Sequence, residues 1–227
     1  DDIVHQMELC PFPIIGAVNG VAINAGFELA LACDVLLASP RASFRDTHAA
    51  FGILPSWGLS QKLPRIVGAN VARMTSLTSA PLTATDARRC GLVNAIVHEA
   101  DDAHDMRDVD ADLHDMMAGG GVAGGADALG ADASASSRSP GEIPADLPGN
   151  LARNLVGVAL DVAARIASLP RAGVAGYKRV MTDGLKVTYG EGRAEERRRA
   201  FEQYRALPES FFAAMSRAAG LTPRARL

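Results

Sequence analysis

Cysteine is scarce in this chain: its 227 residues include only Cys10, Cys33 and Cys90. An odd number at wide spacing argues against a disulfide framework and fits a reducing compartment. Long apolar runs are missing as well. None approaches the ~18 residues that a membrane-crossing helix requires, so no membrane span is expected. Nothing near the start reads as a signal peptide, and Asp1 in place of Met marks the sequence as processed, trimmed or incomplete. The glycines after Ile15 do not follow G-x-G-x-x-G spacing, which disfavours a Rossmann nucleotide binder. Aromatic residues make up 5%, and Trp57 is the only tryptophan. What remains, 48% apolar and 22% charged residues, is ordinary for a soluble globular protein of one or two domains.

Charge is unevenly placed. Residues 101–149 hold ten Asp and one Glu against Arg107 and Arg138, a net of −9, which leaves +6 on the rest of a chain of net −3. A mildly basic body suits a phosphate-bearing ligand. The acidic stretch is rich in Asp, Ala, Gly, Ser and Pro, with few aromatic or β-branched residues. Such a segment buries too little apolar surface to offset its ordering entropy, so 100–149 is expected to be a disordered insertion. His104 and His114 within it lack ligand spacing, and no metal site is expected. The chain thus divides into a core over 1–99, the insertion over 100–149 and a helical region over 150–227.

The densest information lies in Pro13 to Asp34, PIIGAVNGVAINAGFELALACD. Ile14, Ile15, Ala17 and Val18 read as a buried strand. Asn19-Gly20 stops it, and Ala22 to Gly26 reads as a small-residue loop. From Gly26 the pattern turns helical, with Leu29 and Cys33 four apart and Ala30 and Ala32 as strong helix formers. A helix N-terminus carries amides without helical partners and partial positive charge. Placed after a loop of small residues, those amides can stabilise negative charge on a carbonyl oxygen. Glu28, one turn in, is a candidate general base.

This stretch resembles the signature of the crotonase superfamily, the enoyl-CoA hydratase/isomerase family, whose usual form is A-V-N-G-x-A-x-G-G-G-x-E-L-A-x-x-C-D. The sequence departs at Asn24 and Ala25, where glycines are common. The resemblance puts an oxyanion amide on Ala25, close substrate approach at Gly26 and a water-activating carboxylate on Glu28. It implies an α/β fold, a spiral of ββα repeats followed by C-terminal helices. In that fold several strands and a first oxyanion amide precede this point, so the sequence is expected to be N-terminally incomplete.

Phe44 to Ser60, FRDTHAAFGILPSWGLS, is similar to the family's second active segment, with Phe44, Gly52, Pro55 and Gly58 in register. His48 falls where hydratases and isomerases place a second Glu. Imidazole transfers protons near neutral pH. His48 is therefore read three ways: as an acid/base, as a binding or orienting residue, or as a structural histidine. Asp46 is close enough in sequence to orient it or to act itself; alternatively it is a turn residue. Pro55 shapes the turn into the next helix, and Trp57 lines an acyl pocket or packs in the core.

Downstream, Gln61 to Val67 reads as a short helix interrupted at Pro64, and Gly68 opens another with Val71, Met74 and Leu77 three apart. Thr83 to Cys90 reads as a helix capped by Thr83, and Leu92 to Val97 as a strand. Leu151, Leu155, Val158, Val162, Ile166 and Leu169 form one helical stripe. Lys178 and Arg179 on the following helix look solvent-facing. Thr188 and Glu191 make a capping-box pattern before a Glu/Arg-rich helix. Its interleaved signs argue against a nucleic-acid surface. Phe211, Phe212 and Met215 suggest a last apolar-faced helix. Ala225-Arg226-Leu227 is similar to a peroxisomal Ser-Lys-Leu address, which counts only if the source is a eukaryote; otherwise a mitochondrial or cytoplasmic location is expected.

The resemblance implies action on an acyl-CoA thioester, foremost the hydration of a 2-enoyl-CoA, with CoA as part of the substrate and no further cofactor. Double-bond isomerisation and a non-catalytic CoA-binding or assembly role are the alternatives. A homotrimer or hexamer is implied for the complete protein.

Overall fold

The computed structural model describes residues 2–98, 154–208 and 210–211. The readings made for 100–149, Leu151, Phe212, Met215 and the C-terminal tripeptide lie outside them. The described residues fall into two compact units, one of 2–98 with 154–165 and one of 166–208 with 210–211.

In the first unit, α1 (Ile3–Leu9) is capped by Asp2, whose carboxylate accepts the His5 amide at 2.8 Å. It leads to β1 (Ile15–Val18), β2 (Val21–Ile23) and α2 (Ala25–Leu31). Then come β3 (Val35–Ala38), β4 (Ser43–Arg45), a 3-10 turn (Ala49–Phe51), α3 (Leu59–Val67) and α4 (Ala69–Thr78). β5 (Leu82–Thr83), α5 (Ala84–Arg89), β6 (Ala95–Ile96) and α6 (Leu155–Ala167) follow.

Two three-stranded sheets form, with orders β1-β3-β6 and β2-β4-β5. β1 pairs parallel to β3 with Ile15 opposite Val35, and β2 pairs parallel to β4 with Val21 opposite Ser43. Each β1–β2 and β3–β4 unit therefore gives one strand to each sheet before its helices, and the next unit stacks on it. This is the ββα spiral that the resemblance implies. Side chains close the ladders. Asp34 Oδ2 accepts the Ile14 amide at 2.7 Å, and Asn94 Oδ1 accepts the Leu36 amide at 2.8 Å. Gly16 is a packing requirement, since a Cβ there would lie 2.7 Å from Leu36 Cδ1 and 2.9 Å from Cys33 Sγ.

The core joins Phe27, Ala30 and Leu31 of α2 to Leu36, Phe44, Leu59, Leu63 and Val93. Phe27 and Phe44 are fully buried with ring centroids 5.4 Å apart, which seats α2 on β4. A smaller cluster packs Leu155, Val158 and Val162 of α6 on Leu37, Ala95 and Val97.

Several local expectations need correction. β1 is only half-buried and Ala17 is exposed, because β1 lies at a sheet edge. Ala22 and Ile23, read as the start of a loop, belong to the strand Val21–Ile23; three residues with only Ala22 buried are too short to show a period. α3 runs through Pro64 unbroken, starting at Leu59. Proline removes the donor to the Ser60 carbonyl, and Ser60 is exposed, so water can satisfy it. On α4 the buried residues are Ala72 and Thr75, whereas Met74 and Leu77 are exposed. A strict three-residue step walks around a helix of 3.6 residues per turn instead of holding one face.

The second unit is a helical hairpin of α7 (Arg171–Gly184) and α8 (Tyr189–Ala206). The capping box is present: the Glu191 carboxylate accepts the Thr188 amide at 3.0 Å, and Thr188 Oγ1 accepts the Glu191 amide at 3.4 Å. Lys178 is buried, contrary to the sequence reading, while the neighbouring Arg179 is exposed and bonds Asp183 one turn on at 3.0 Å. An open groove of ≈ 840 Å³ between the two helices is lined by Gly176, Tyr177, Tyr189, Arg193 and Tyr204, among others. Among the described residues no helix is long and apolar enough to cross a membrane.

Candidate active site

The site grows from the junction of β2 and α2. β2 ends at Ile23, and the Asn24 amide donates to the Arg45 carbonyl at 3.0 Å, one step beyond the ladder. Asn24 then turns at φ 49°, ψ −112°, a backbone conformation that favours glycine. Its carbonyl accepts the Glu28 amide at 2.8 Å, the first helical bond of α2. Ala25 and Gly26 follow, both exposed. Their amides make no hydrogen bond to any described residue. They remain available to an incoming acceptor. A Cβ on Gly26 would meet nothing within 4 Å, so no packing of the protein demands glycine there. Its bareness widens the space in front of the amides.

Glu28 sits on the buried side of the same helix, with 3% of its surface exposed. A buried carboxylate needs donors. Two converge on Oε1: the Trp57 amide at 2.7 Å and the Leu59 amide at 3.3 Å. Leu59 is the first residue of α3, so the carboxylate also meets the positive end of that helix. Gly58 between the two donors has φ 100°, which only glycine adopts easily. This left-handed turn brings the amides on either side of it onto one oxygen, a small anion-binding nest. Oε2 takes no hydrogen bond from a described residue and is the oxygen left for a reactant.

His48 lies just beyond β4 and is buried at 8% exposure. Asp46, equally buried, accepts the His48 amide at 3.0 Å and stands 2.7 Å from Nδ1, both through Oδ1. An ionised carboxylate only accepts, so Nδ1 carries its hydrogen towards Asp46 and Nε2 is the exchanging nitrogen. Burial pushes the Asp46 carboxyl up, but hydrogen bonds from Ser76 and from the His48 backbone and ring outweigh it. The net effect holds the group below the ordinary aspartate value.

The two segments are joined directly. Thr47 donates its amide to Asn24 Oδ1 at 2.8 Å, its hydroxyl lies 3.0 Å from the same oxygen, and Asn24 Nδ2 donates to Thr47 Oγ1 at 2.8 Å. Thus α2 is bonded to the His48 loop through Asn24 and to the Trp57 loop through Glu28. Trp57 meets Glu28 through its backbone, and its half-buried indole is free for a second role. Pro55 is half-buried in the loop before α3, and none of the site's hydrogen bonds involves it. The sequence reading missed Thr47, Ser76 and the amide pair on Glu28. Asn24, a bulky residue where the signature has glycine, was the available signal. Among the described residues no group of three or more His, Cys, Asp or Glu could hold a metal ion.

The comparisons bear on this geometry. The model of the family described as enoyl-CoA hydratase/isomerase matches residues 1–118, just over half of the chain. The chain belongs to the enoyl-CoA hydratase/isomerase family. Over 108 residues it is 62% identical to the probable enoyl-CoA hydratase 1, peroxisomal, of Arabidopsis thaliana, covering 48% of this chain and 41% of that one. It is 37% identical over 99 residues to the short-chain-enoyl-CoA hydratase of Clostridium acetobutylicum, covering 44% and 38%. The solved enoyl-CoA hydratase from Bacillus anthracis shares the fold with a TM-score of 0.64 at 23% identity, over 97% of this chain and 64% of that one. The chain therefore spans about two fifths of the curated relatives it matches. Family membership accounts for the signature stretch Pro13 to Asp34.

Proposed function

We propose that this chain carries the water-activating part of a hydratase site that adds water across the double bond of a 2-enoyl-CoA thioester. The observation that carries the reading is Glu28: a buried carboxylate with Oε1 held by two amides and Oε2 left for a reactant. In the proposed step Oε2 removes a proton from water as its oxygen bonds to C3. The C2=C3 electron pair moves towards the thioester, placing negative charge on the carbonyl oxygen. The exposed Ala25 amide donates to that oxygen, a form of stabilisation that preorganised amides provide best. His48 enters the step as imidazolium and delivers its Nε2 proton to C2, with Asp46 fixing the ring from Nδ1. The proton on Glu28 leaves through solvent and His48 regains one, which restores both groups. Gly26 gives the thioester room, and Pro55 and the Trp57 indole are assigned to the acyl side. The step draws on side chains and amides alone, with CoA as part of the substrate.

The names of the relatives support hydration over double-bond isomerisation. We assign the complete protein to a homotrimer or hexamer, for which exposed Tyr177, Leu185 and Tyr189 on the hairpin supply apolar contact surface. A peroxisomal location is supported by the peroxisomal designation of the Arabidopsis relative.

The deciding experiment measures loss of the enoyl absorbance of crotonyl-CoA by the full-length protein. Glu28→Gln keeps the shape and removes the base; its rate should fall about 10²- to 10⁴-fold. A parent without hydration activity, or a Glu28→Gln variant as fast as the parent, overturns the reading.

A further inference from the structure

We propose that Asn24 is a positioning residue: its side chain, clamped to Thr47, sets the Ala25 amide and the His48 ring in register with each other. The inference rests on the hydratase reading above and extends it to two residues without chemistry of their own.

The placement is symmetrical along the chain. Asn24 immediately precedes Ala25, and Thr47 immediately precedes His48. The two are 23 residues apart in sequence and joined by bonds of 2.8, 2.8 and 3.0 Å. Asn24 follows directly on β2 and Thr47 lies two residues past the end of β4, so the side-chain bonds prolong a parallel ladder whose backbone pairing stops at Ile23 and Arg45. The Asn24 backbone adds its own bond to the Arg45 carbonyl at 3.0 Å.

Backbone conformation makes the choice of asparagine informative. At φ 49°, ψ −112° glycine is the unstrained residue. Asparagine carries strain there, and its amide group uses both its oxygen and its nitrogen on Thr47. Both partners are half-buried, so water competes only partly for these bonds. Without the clamp, the β2–α2 turn gains freedom and the loop that bears His48 loses its tether to it. An oxyanion donor and a proton donor act on neighbouring atoms of one substrate, and small misplacements between them are costly. The clamp should therefore act on kcat, with little effect on substrate capture.

The test uses the full-length protein with crotonyl-CoA. Asn24→Gly relieves the backbone and removes the side chain. Thr47→Val removes the hydroxyl and keeps the amide donor. Each should lower kcat about ten- to a hundredfold, with KM within about twofold of the parent. The double variant should be little slower than Asn24→Gly alone, because that substitution already removes every side-chain bond of the clamp. Thr47→Ser should restore most of the rate. Thermal unfolding run alongside should show Asn24→Gly folded and no less stable than Thr47→Val, which separates positioning from loss of structure. Single variants within twofold of the parent in kcat, or a double variant whose loss is the product of the singles, overturn the clamp. Glu28→Gln in the same series keeps the two claims apart. If it is dead while the clamp variants are normal, only the clamp fails. If the parent does not turn over, the hydratase reading fails, and the clamp is read from acetoacetyl-CoA binding. Its enolate presents to the Ala25 amide the oxyanion charge that crotonyl-CoA develops only in the transition state, so Asn24→Gly should bind it about tenfold more weakly although substrate capture is little changed. Equal binding, or none by the parent, overturns the clamp as well.

Discussion

The α2-centred region and the α7–α8 hairpin are both rich in polar contacts, but of opposite kinds. Around α2 the bonds link residues far apart in sequence: 23 positions for Asn24 and Thr47, 29 for Glu28 and Trp57, 31 for Glu28 and Leu59. They are wholly or partly buried, and most join a side chain to a backbone amide. On the hairpin, Glu195 meets Arg198 and Arg199 three and four residues on, and Arg198 also reaches Glu202. Arg199 to Asp183 ties the two helices, at 2.9 Å. Hydrogen bonds from Arg198 and then Arg199 pull Glu195 down to about 2, yet its side chain stays open to solvent, 36% exposed. A large shift at an exposed site says little about stability, because solvent and salt screen the pair. The buried region is where single polar groups matter.

That contrast is open to attack by substitution. The largest effect belongs to Glu28→Ala, which leaves two buried amides without their acceptor. It should destabilise the fold by about 1–3 kcal/mol by chemical denaturation, besides abolishing hydration. Gly58→Ala comes next. At φ 100° an alanine is strained by about 1–3 kcal/mol, and the turn that aims both amides relaxes, so activity should fall with stability. Asp46→Asn should act through pH. The folded protein holds Asp46 below its unfolded value, so its contribution is complete above that value. The contribution is lost as pH falls through the lower folded pKa. The parent should therefore lose stability on acidification more steeply than Asp46→Asn, as read from melting temperature against pH below about 5. Glu195→Gln is the smallest: no resolvable change in melting temperature at physiological salt. A drop comparable to that of Gly58→Ala would break the comparison.

Much of the fold was legible because its marks are local. The Asn19-Gly20 stop, the Thr83 cap, the Thr188–Glu191 box and the Leu155-Val158-Val162 stripe each depend on neighbours within a turn or two. The family signature carried the rest, including the spiral. The placement of the candidate residues was legible, with Ala25, Glu28 and His48 near the junctions where the strands hand over to helix or turn. Its wiring was not. Which amides hold Glu28 depends on a left-handed glycine thirty residues downstream, and the tie between Asn24 and Thr47 depends on strand register. Neither is encoded in any short window. Lys178 misled for a related reason, since its burial is set by tertiary surroundings and the side-chain type alone suggests water.

The peptide group that anchors the general-base candidate belongs to the chain's sole tryptophan. Excitation at the red edge of the indole band, where tyrosine does not absorb, therefore reports selectively from one address in this chain, a residue covalently continuous with the carboxylate's anchor. Quenching or a spectral displacement on mixing with a thioester would follow occupancy in real time, free of labels and independent of turnover.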